Sequence, residues 1–396
     1  MDPNDFEAPA FGEARRDGVS FWYYAPKPMP RSVTLSNETV LALSAADNAL
    51  GRLSSAGRYL SDPTMFVRPY MTREAVASSR IEGTEASLSD VLKAAATDDD
   101  EPELDVREVR NYVAALDEGV RLLPTLPISQ RFITTLHRTL MEGVRGRDKR
   151  PGELREMPVY IGSPTDSAET AAFVPPMHPL LPELLSDWEQ FVHENPRIPV
   201  LVQCAMLHYQ FETIHPFMDG NGRLGRLLIV FFLIERGLLP APLLYLSAYL
   251  EQNRRQYYDR LQAVRERGEL EQWIQFFLTA VTVQAKDAIE RAERLFELRE
   301  SYRRQLAGSR SRATEVVDLF FENPFLTARS VARRLDVTNQ GALNLIRGLE
   351  KKGWLNDLGS FGRGGRVSWV ALDVWRITEL PLVAEENDAQ KQQTRA

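Results

Sequence analysis

One cysteine stands in 396 residues. Cys204 alone can form no intrachain disulfide, and a thiolate zinc site is excluded with it. Histidine is also scarce. His137, His178, His193, His208 and His215 are the only five, and none sits in a paired zinc spacing such as H-E-x-x-H. No apolar run is long enough for a bilayer: the richest, Leu224 to Ile234, is short and contains Arg226. Basic excess is missing too. The net charge of −7 gives no global pull toward nucleic acid and leaves room only for a local basic face. The opening "MDPNDFEAPAFGEARRDG" is acidic and lacks an apolar segment, which predicts no signal peptide. Together these absences predict a reducing cytoplasm and no membrane partner.

What is present is an ordinary soluble composition, 43% apolar and 26% charged, in a chain long enough for two or three domains. Residues 1 to about 35 are polar and proline-containing and read as extended. From Asn37 the pattern turns helical, with Val40, Leu41, Leu43, Ala46, Leu50 and Leu53 at helical spacing. A second helix is predicted over 72–82, with Gly83 as its left-handed stop. "TDDDEPELD" (97–105) reads as a solvated acidic connector. Helices follow at 106–123, 129–144, 178–194, 199–213 and 223–236, the last ended by Gly237, with more over 248–306. "MPVYIG" and "AAFVPP" read as two short strands of a hairpin at about 157–175. "AGSRSRA" (307–313) reads as a linker, and the tail beyond about 380 as polar and disordered.

The stretch "HPFMDGNGRLGR" (215–226) contains G-x-G-x-x-G as Gly220, Gly222 and Gly225. A dinucleotide fingerprint must follow a strand in a βαβ unit. Here the preceding segment is long and helical, so that reading fails. A helix start fits better. Gly220, Asn221 and Gly222 allow a tight turn that aims N–H groups at one point, backed by the helix dipole. Arg223 and Arg226, three apart, share one face near that end. This is an anion site suited to a polyphosphate. Asp219 then needs a bridging cation, and one carboxylate plus phosphate oxygens is a usual way to hold Mg²⁺. His215 is close enough to take a proton from an attacking hydroxyl, and Phe217 anchors the loop. The residues describe Mg²⁺-dependent transfer from a nucleotide to a hydroxyl, without choosing which phosphate is attacked. Chance would produce the whole pattern on the order of once in 10⁷ chains of this length.

At every specified position this stretch resembles the signature of the Fic family. The resemblance implies a mainly α fold, a helical core with a β-hairpin flap, and transfer of AMP from ATP to a Ser, Thr or Tyr hydroxyl of a target protein. It implies His215 as general base and Asp219 as the Mg²⁺ ligand. It also implies an ATP site of Gly220, Asn221, Gly222, Arg223, Leu224, Gly225 and Arg226. The hairpin resembles the family flap, with Val159, Tyr160, Ile161, Phe173 and Val174 gripping a target segment by strand addition. "YLEQNRRQYYDRLQAV" (249–264) resembles the segment lining the nucleotide base, which makes Tyr249, Asn253 and Tyr257 candidates. "SSRIEG" (78–83) matches the family's inhibitory motif at a helix end. That pattern alone is common by chance; its place upstream of the main motif singles it out. It implies that Glu82, followed by Gly83 and supported by Ser78, occupies Arg226 and brakes the enzyme. Some members with this glutamate also remove AMP.

Beyond the linker, residues 313–355 read helix, helix, turn, helix, and two strands around a Gly/Arg turn follow, as in a winged helix-turn-helix. Val331, Leu335, Val337, Ala342, Leu343, Ile346 and Leu349 form its expected core. Asn339, Gln340, Asn344, Arg347, Lys351 and Lys352 lie on its third helix, and Arg363 and Arg366 on the wing. Residues 308–380 carry 11 Lys+Arg against 8 Asp+Glu. DNA binding and a protein-interaction or dimerisation role both stay open. The expected organisation is an N-terminal helical region (1–105), a catalytic core (106–306), a winged helix (308–380) and a tail (381–396). Two rivals remain. One is a Fic transferase using another donor, such as UTP or CDP-choline, and the other is a DNA-binding regulator whose core senses nucleotide. Self-modification and a homodimer are also left open.

Overall fold

A helix that is apolar on every side has to be surrounded by others, and two such helices organise this chain. The computed structural model describes residues 1–18, 21–59, 63–97, 103–144, 150–162, 165–194, 196–308, 311–361 and 366–379. A strand pair opens it, β1 (Gly12–Asp17) and β2 (Phe21–Pro26). Next come α1 (Asn37–Tyr59), α2 (Pro63–Ile81), α3 (Leu88–Thr97), α4 (Leu104–Leu122) and α5 (Gln130–Leu140). The centre holds α6 (Leu181–His193), α7 (Val200–Ile214), α8 (Asn221–Glu235), α9 (Ser247–Gln252), α10 (Arg254–Arg267) and α11 (Leu270–Leu306). The C-terminal run is α12 (Ala313–Glu322), β3 (Phe325–Thr327), α13 (Ala328–Leu335), α14 (Asn339–Glu350), β4 (Asn356–Phe361), β5 (Arg366–Val370) and α15 (Leu372–Glu379). Both sheets are antiparallel: β1 with β2, and β3-β5-β4. The fold is mainly α.

In α7 every residue from Leu201 to Ile214 is buried, and in α8 every residue from Asn221 to Leu233. They form a central helical pair with the other helices around it. Trp188 of α6 and Trp273 of α11 close on α7, and their indole N–H groups donate to the carbonyls of Leu207 (3.1 Å) and Ala205 (2.9 Å). Each large buried side chain of this kind contributes roughly 1.5–3 kcal/mol, provided its polar atom is satisfied. At 37 residues α11 is about 55 Å long. It lies along α1 and continues to the C-terminal unit, where Tyr302 stacks on Trp354 at 4.2 Å. That unit also seats on α3: Asn323 donates to the Leu92 carbonyl and Thr327 to that of Ala96.

Several expectations change. Residues 12–26 are a β-hairpin, not an extended leader; its Tyr24 is fully buried against Phe173. α3 had not been anticipated. α2 begins nine residues earlier than expected and passes through Pro69. Its end is as expected, with Gly83 at φ +98°. Val40 and Leu41 are exposed, so α1 buries Ala46, Ala49, Leu50 and Leu53 instead. The hairpin at 157–175 shrinks to one antiparallel bridge, Ile161 with Phe173. Pro158, Pro175 and Pro176 remove the ladder donors on either side. Most of the acidic connector, the Gly/Arg turn with Arg363, and the tail lie outside the described residues, as does part of the linker.

The closeness of α4 to α8 can be tested at Gly119. A Cβ there would fall 2.2 Å from the buried ring of Phe231. Gly119→Ala should destabilise by about 1–3 kcal/mol despite its better helix propensity. Gly51 of α1 has open space around it. Gly51→Ala should stabilise by up to about 1 kcal/mol. Thermal midpoints by circular dichroism give both signs, and equal shifts would contradict the packing.

Candidate active site

The loop between the two central helices must reverse the chain inside an apolar shell, so its polar backbone needs partners. At its start His215 caps α7 in the left-handed region, φ 50°. A non-glycine residue there costs on the order of 1 kcal/mol and has to be held. Arg155, only 2% exposed, holds it. Its Nε donates to the His215 carbonyl (2.8 Å), and its Nη2 to the carbonyls of Ile214 (3.2 Å) and Pro176 (2.5 Å). A guanidinium at the end of α7 also meets the negative pole of that helix. Burial lowers Arg155 to about 10, which leaves it charged.

The middle of the loop is fixed from α5. His137 Nδ1 accepts from Gly152 N–H at 2.8 Å, so the hydrogen sits on Nε2, which donates to the Asp219 carbonyl at 2.9 Å. The same ring stacks on Phe217 at 3.8 Å, and Phe217 is fully buried, as an anchor should be. Gly220 (φ 75°) makes the turn into α8; a Cβ there would press on Met141 Sδ at 2.7 Å. The Asn221 amide spans back to both the N–H and the carbonyl of Phe217, each at 2.9 Å. Its side chain therefore closes the loop, and only backbone N–H groups of this turn are left to meet an anion.

The charged groups follow. Asp219 Oδ1 accepts from Gly220 N–H, and its side chain is 40% exposed. Arg223 is buried, 3.6 Å from Glu108 and 3.9 Å from Asp219, and its Nε and Nη1 have no hydrogen-bond partner among the described residues. Arg226, 2% exposed, is fully engaged by the end of α2. Its Nε donates to Ser78 Oγ (2.8 Å), and its Nη2 to the Ser78 carbonyl (2.9 Å) and Glu82 Oε1 (2.7 Å). Burial opposes that charge, but Glu82 together with Glu212, Tyr257 and Tyr258 outweighs it and holds Arg226 above its ordinary value. A Cβ on Gly222 would lie 2.2 Å from Glu82 Oε1, so glycine is what lets α2 come this close. Burial lowers His215 to about 3, with Arg155 adding to the effect, so the imidazole is neutral at pH 7 and can accept a proton.

Part of this set borders a cleft of about 460 Å³, while Asp219, Gly220, Asn221 and Arg223 stand outside its lining. Glu82, His215, Gly222 and Arg226 line it, and so do Ile161 and Phe173 of the expected flap. Val159 is half-buried and Tyr160 exposed. Val174 lies behind the cleft, its carbonyl accepting from Tyr24 N–H of β2. Leu224 and Gly225 are buried in α8. Tyr257 reaches the cleft wall, but its hydroxyl is paired with His208 Nε2 at 2.9 Å. Tyr249 and Asn253 stand outside the lining: Tyr249 packs on Phe276, and the Asn253 amide donates to the Tyr249 carbonyl. Three residues that the motifs did not single out stand in the lining instead, and a fourth, Arg155, acts from outside it. Tyr258 is the exposed aromatic of α10. Arg265 is buried with its guanidinium 3.8 Å from the Phe173 ring centre. Glu212 is buried and pushed up to about 7 by that burial. Arg155 fixes the loop. Only Glu212, three residues before His215, carried a positional signal.

Two measurements test this geometry. Arg155→Ala strips a donor from four carbonyls, those of His215, Ile214, Pro176 and Met157, and should cost about 2–4 kcal/mol in chemical denaturation. Lysine should rescue only part, because it lacks the planar fork. Burial also lowers His137 to about 4 and His208 to about 3. A lowered pKa keeps the ring neutral at every pH above it. Nitrogen NMR should therefore show His137, His208 and His215 uncharged as pH falls from 7 to 5. A ring among them that protonates near 6.5 would contradict the burial.

Known proteins share parts of this sequence and its fold. Residues 40–121 match the model of the Fic/DOC family N-terminal region, and residues 127–233 that of the Fic/DOC family. "Protein adenylyltransferase Fic" of Aedes aegypti is 31% identical over 175 residues, 42% of this chain and 31% of that protein. A probable protein adenylyltransferase of Aquifex aeolicus is 41% identical over 69 residues, 17% of this chain and 22% of its own. The chain thus matches about a third or less of these curated relatives' length. The crystal structure of a Fic family protein from Desulfovibrio desulfuricans G20 aligns with a TM-score of 0.56 over 87% of this chain and 98% of its own. At 20% identity that likeness shows a shared fold. The two matched regions meet where Glu82 reaches Arg226, and over residues 40–121 and 127–233 the chain carries the Fic/DOC N-terminal and Fic/DOC domains.

Proposed function

We propose that this chain is an autoinhibited protein adenylyltransferase that moves AMP from ATP to a Ser, Thr or Tyr hydroxyl of a target protein. The observation that carries the brake is Arg226: every contact it makes at the cleft goes to Ser78 or Glu82. An arginine placed for an anion is held by a carboxylate of the same chain. Glu82 is about a third exposed, so it can leave without unfolding a core.

The cleft suits a nucleotide. N–H groups in the first turn of α8 have no intrahelical acceptor, and Arg223 offers buried, unbonded nitrogens. Asp219 is a single accessible carboxylate, and no cluster of three metal-ligating side chains gathers among the described residues. A cation here would need phosphate oxygens to complete its shell, which fits Mg²⁺. Held by Asp219, Mg²⁺ would neutralise charge on the phosphate chain. Neutral His215 takes the proton of the target hydroxyl as its oxygen attacks the α-phosphorus. The new P–O bond forms as the bond to the β-phosphate breaks, and pyrophosphate leaves. Positioning and charge stabilisation supply most of the acceleration.

Ile161 and Phe173 would lie against the target segment, with Tyr160 exposed beside them. The reading keeps an N-terminal inhibitory region (1–105), a catalytic core (106–306) and a winged-helix unit (308–380). It places the protein in the cytoplasm. No described helix is long and apolar enough to cross a membrane.

Transfer of labelled AMP from ATP with Mg²⁺ tests the proposal. Glu82→Gly should raise transfer about 10- to 150-fold, the worth of one charge-assisted contact of roughly 1.5–3 kcal/mol. His215→Ala should abolish it in both backgrounds. An unchanged rate in Glu82→Gly would remove the brake, and absence of label in every variant would refute the donor.

A further inference from the structure

We propose that the C-terminal unit binds double-stranded DNA, with α14 lying in the major groove. This function is separate from the adenylyl-transfer reading and does not rest on it.

The argument begins with the local fold. α13 ends at Asp336, held in the left-handed region at φ 52°, and after two more residues α14 starts, capped by Thr338 Oγ1 on Gly341 N–H. The two helices close on Val331, Leu335, Ala342 and Ile346, all buried. This is the helix-turn-helix geometry in which the second helix is free to enter a groove. Twelve residues make α14 about 18 Å long, and the major groove, about 12 Å wide, admits a helix.

The second step is what α14 shows to solvent. Gln340, Asn344, Arg347 and Lys351 are spaced i, i+4, i+7 and i+11 and form one exposed stripe. It lies opposite the buried Ala342, Ile346 and Leu349. Amides and an arginine at its centre are the side chains that read base edges. Lys351 and Lys352 at one end suit the phosphates that fix register. Residues 328–353 hold six cations and two anions, a net +4 in a chain of net −7. The helix-turn-helix is thus a locally basic segment of an acidic chain.

The third step is what the face lacks. None of the exposed large apolar residues falls on α13 or α14. A protein interface needs a buried apolar or aromatic centre, and this stripe offers none. Among the described residues α14 packs chiefly on α12 and α13, while β3, α12, α13 and α15 carry the unit's contacts to α3 and α2. Among the described residues the stripe is exposed with the helical core attached.

The test uses the full chain and a fluorescent 20-base-pair duplex of random sequence, read by anisotropy. Binding is expected at 50 mM salt and should weaken roughly 40-fold at 200 mM if three phosphates are contacted. Arg347→Ala/Lys351→Ala should weaken it at least tenfold with an unchanged thermal midpoint. If that variant misfolds, Gln340→Glu/Lys352→Glu reads the same face. Arg255→Glu, on an exposed part of α10, controls for net charge and should bind like the parent. Selection from a random duplex library should enrich a motif whose preference Asn344→Ala relaxes. No binding at 50 mM salt would overturn the proposal. So would equal losses in the α14 and Arg255 variants, or tighter binding of single-stranded DNA or duplex RNA.

Discussion

A guanidinium that is 2% exposed must find compensating charge or the fold pays for an isolated buried ion. Arg226 is that group, and much of the structure is arranged around it. Glu82 and Ser78 satisfy it, which fixes where α2 ends. α2 is held in turn by Glu74, one turn before Ser78. The Glu74 carboxylate is fully buried, takes the Tyr112 hydroxyl of α4 at 3.1 Å and the Ser247 N–H of α9 at 2.9 Å, and also bonds the Ser247 hydroxyl. Burial raises the Glu74 pKa above its usual value, and these bonds act against that rise. The end of α2 is therefore the exposed end of a buried polar network, and Glu82 is the part of it that solvent reaches.

The same demand explains the loop. His215 is held in its strained backbone geometry by Arg155 and its loop by His137; burial keeps His137 neutral, while Arg155 stays charged despite burial. A charged Arg155 donates to carbonyls at the end of α7. A neutral His137 has one nitrogen to accept and one to donate. Protonating His137 would place a hydrogen on Nδ1 and lose the bond from Gly152. Glycine contributes at two places where nothing larger fits, Gly220 against Met141 and Gly222 against Glu82.

Legibility followed range. Elements set by local periodicity and stop signals, such as the end of α2 at Gly83 and of α8 at Gly237, were readable. The motif residues from His215 to Arg226 were readable because a turn, a helix start and two arginines three apart are local geometry. The hairpin at 12–26 was not, since its Tyr24 is buried by Phe173, about 150 positions away. Tyr249, Asn253 and Tyr257 shared a helical stretch that the resemblance placed at the nucleotide base. Which of them faces the cleft depended on how α9 and α10 pack, and Tyr258 took the exposed place.

By itself, the sequence determined the chemistry on offer: a base, one accessible carboxylate, two arginines at a helix start, and a glutamate at the end of another helix. It also determined the alternation of apolar and polar positions that gives α14 one buried and one exposed face. Only the tertiary structure decided the pairings. That Glu82 meets Arg226 across 144 positions, that Asn221 turns its amide inward, and that Arg155 and His137 clamp the loop all follow from burial. Removing a polar group from water forces it to take whichever partner the packing brings within about 3 Å, and a local pattern carries no record of that neighbour.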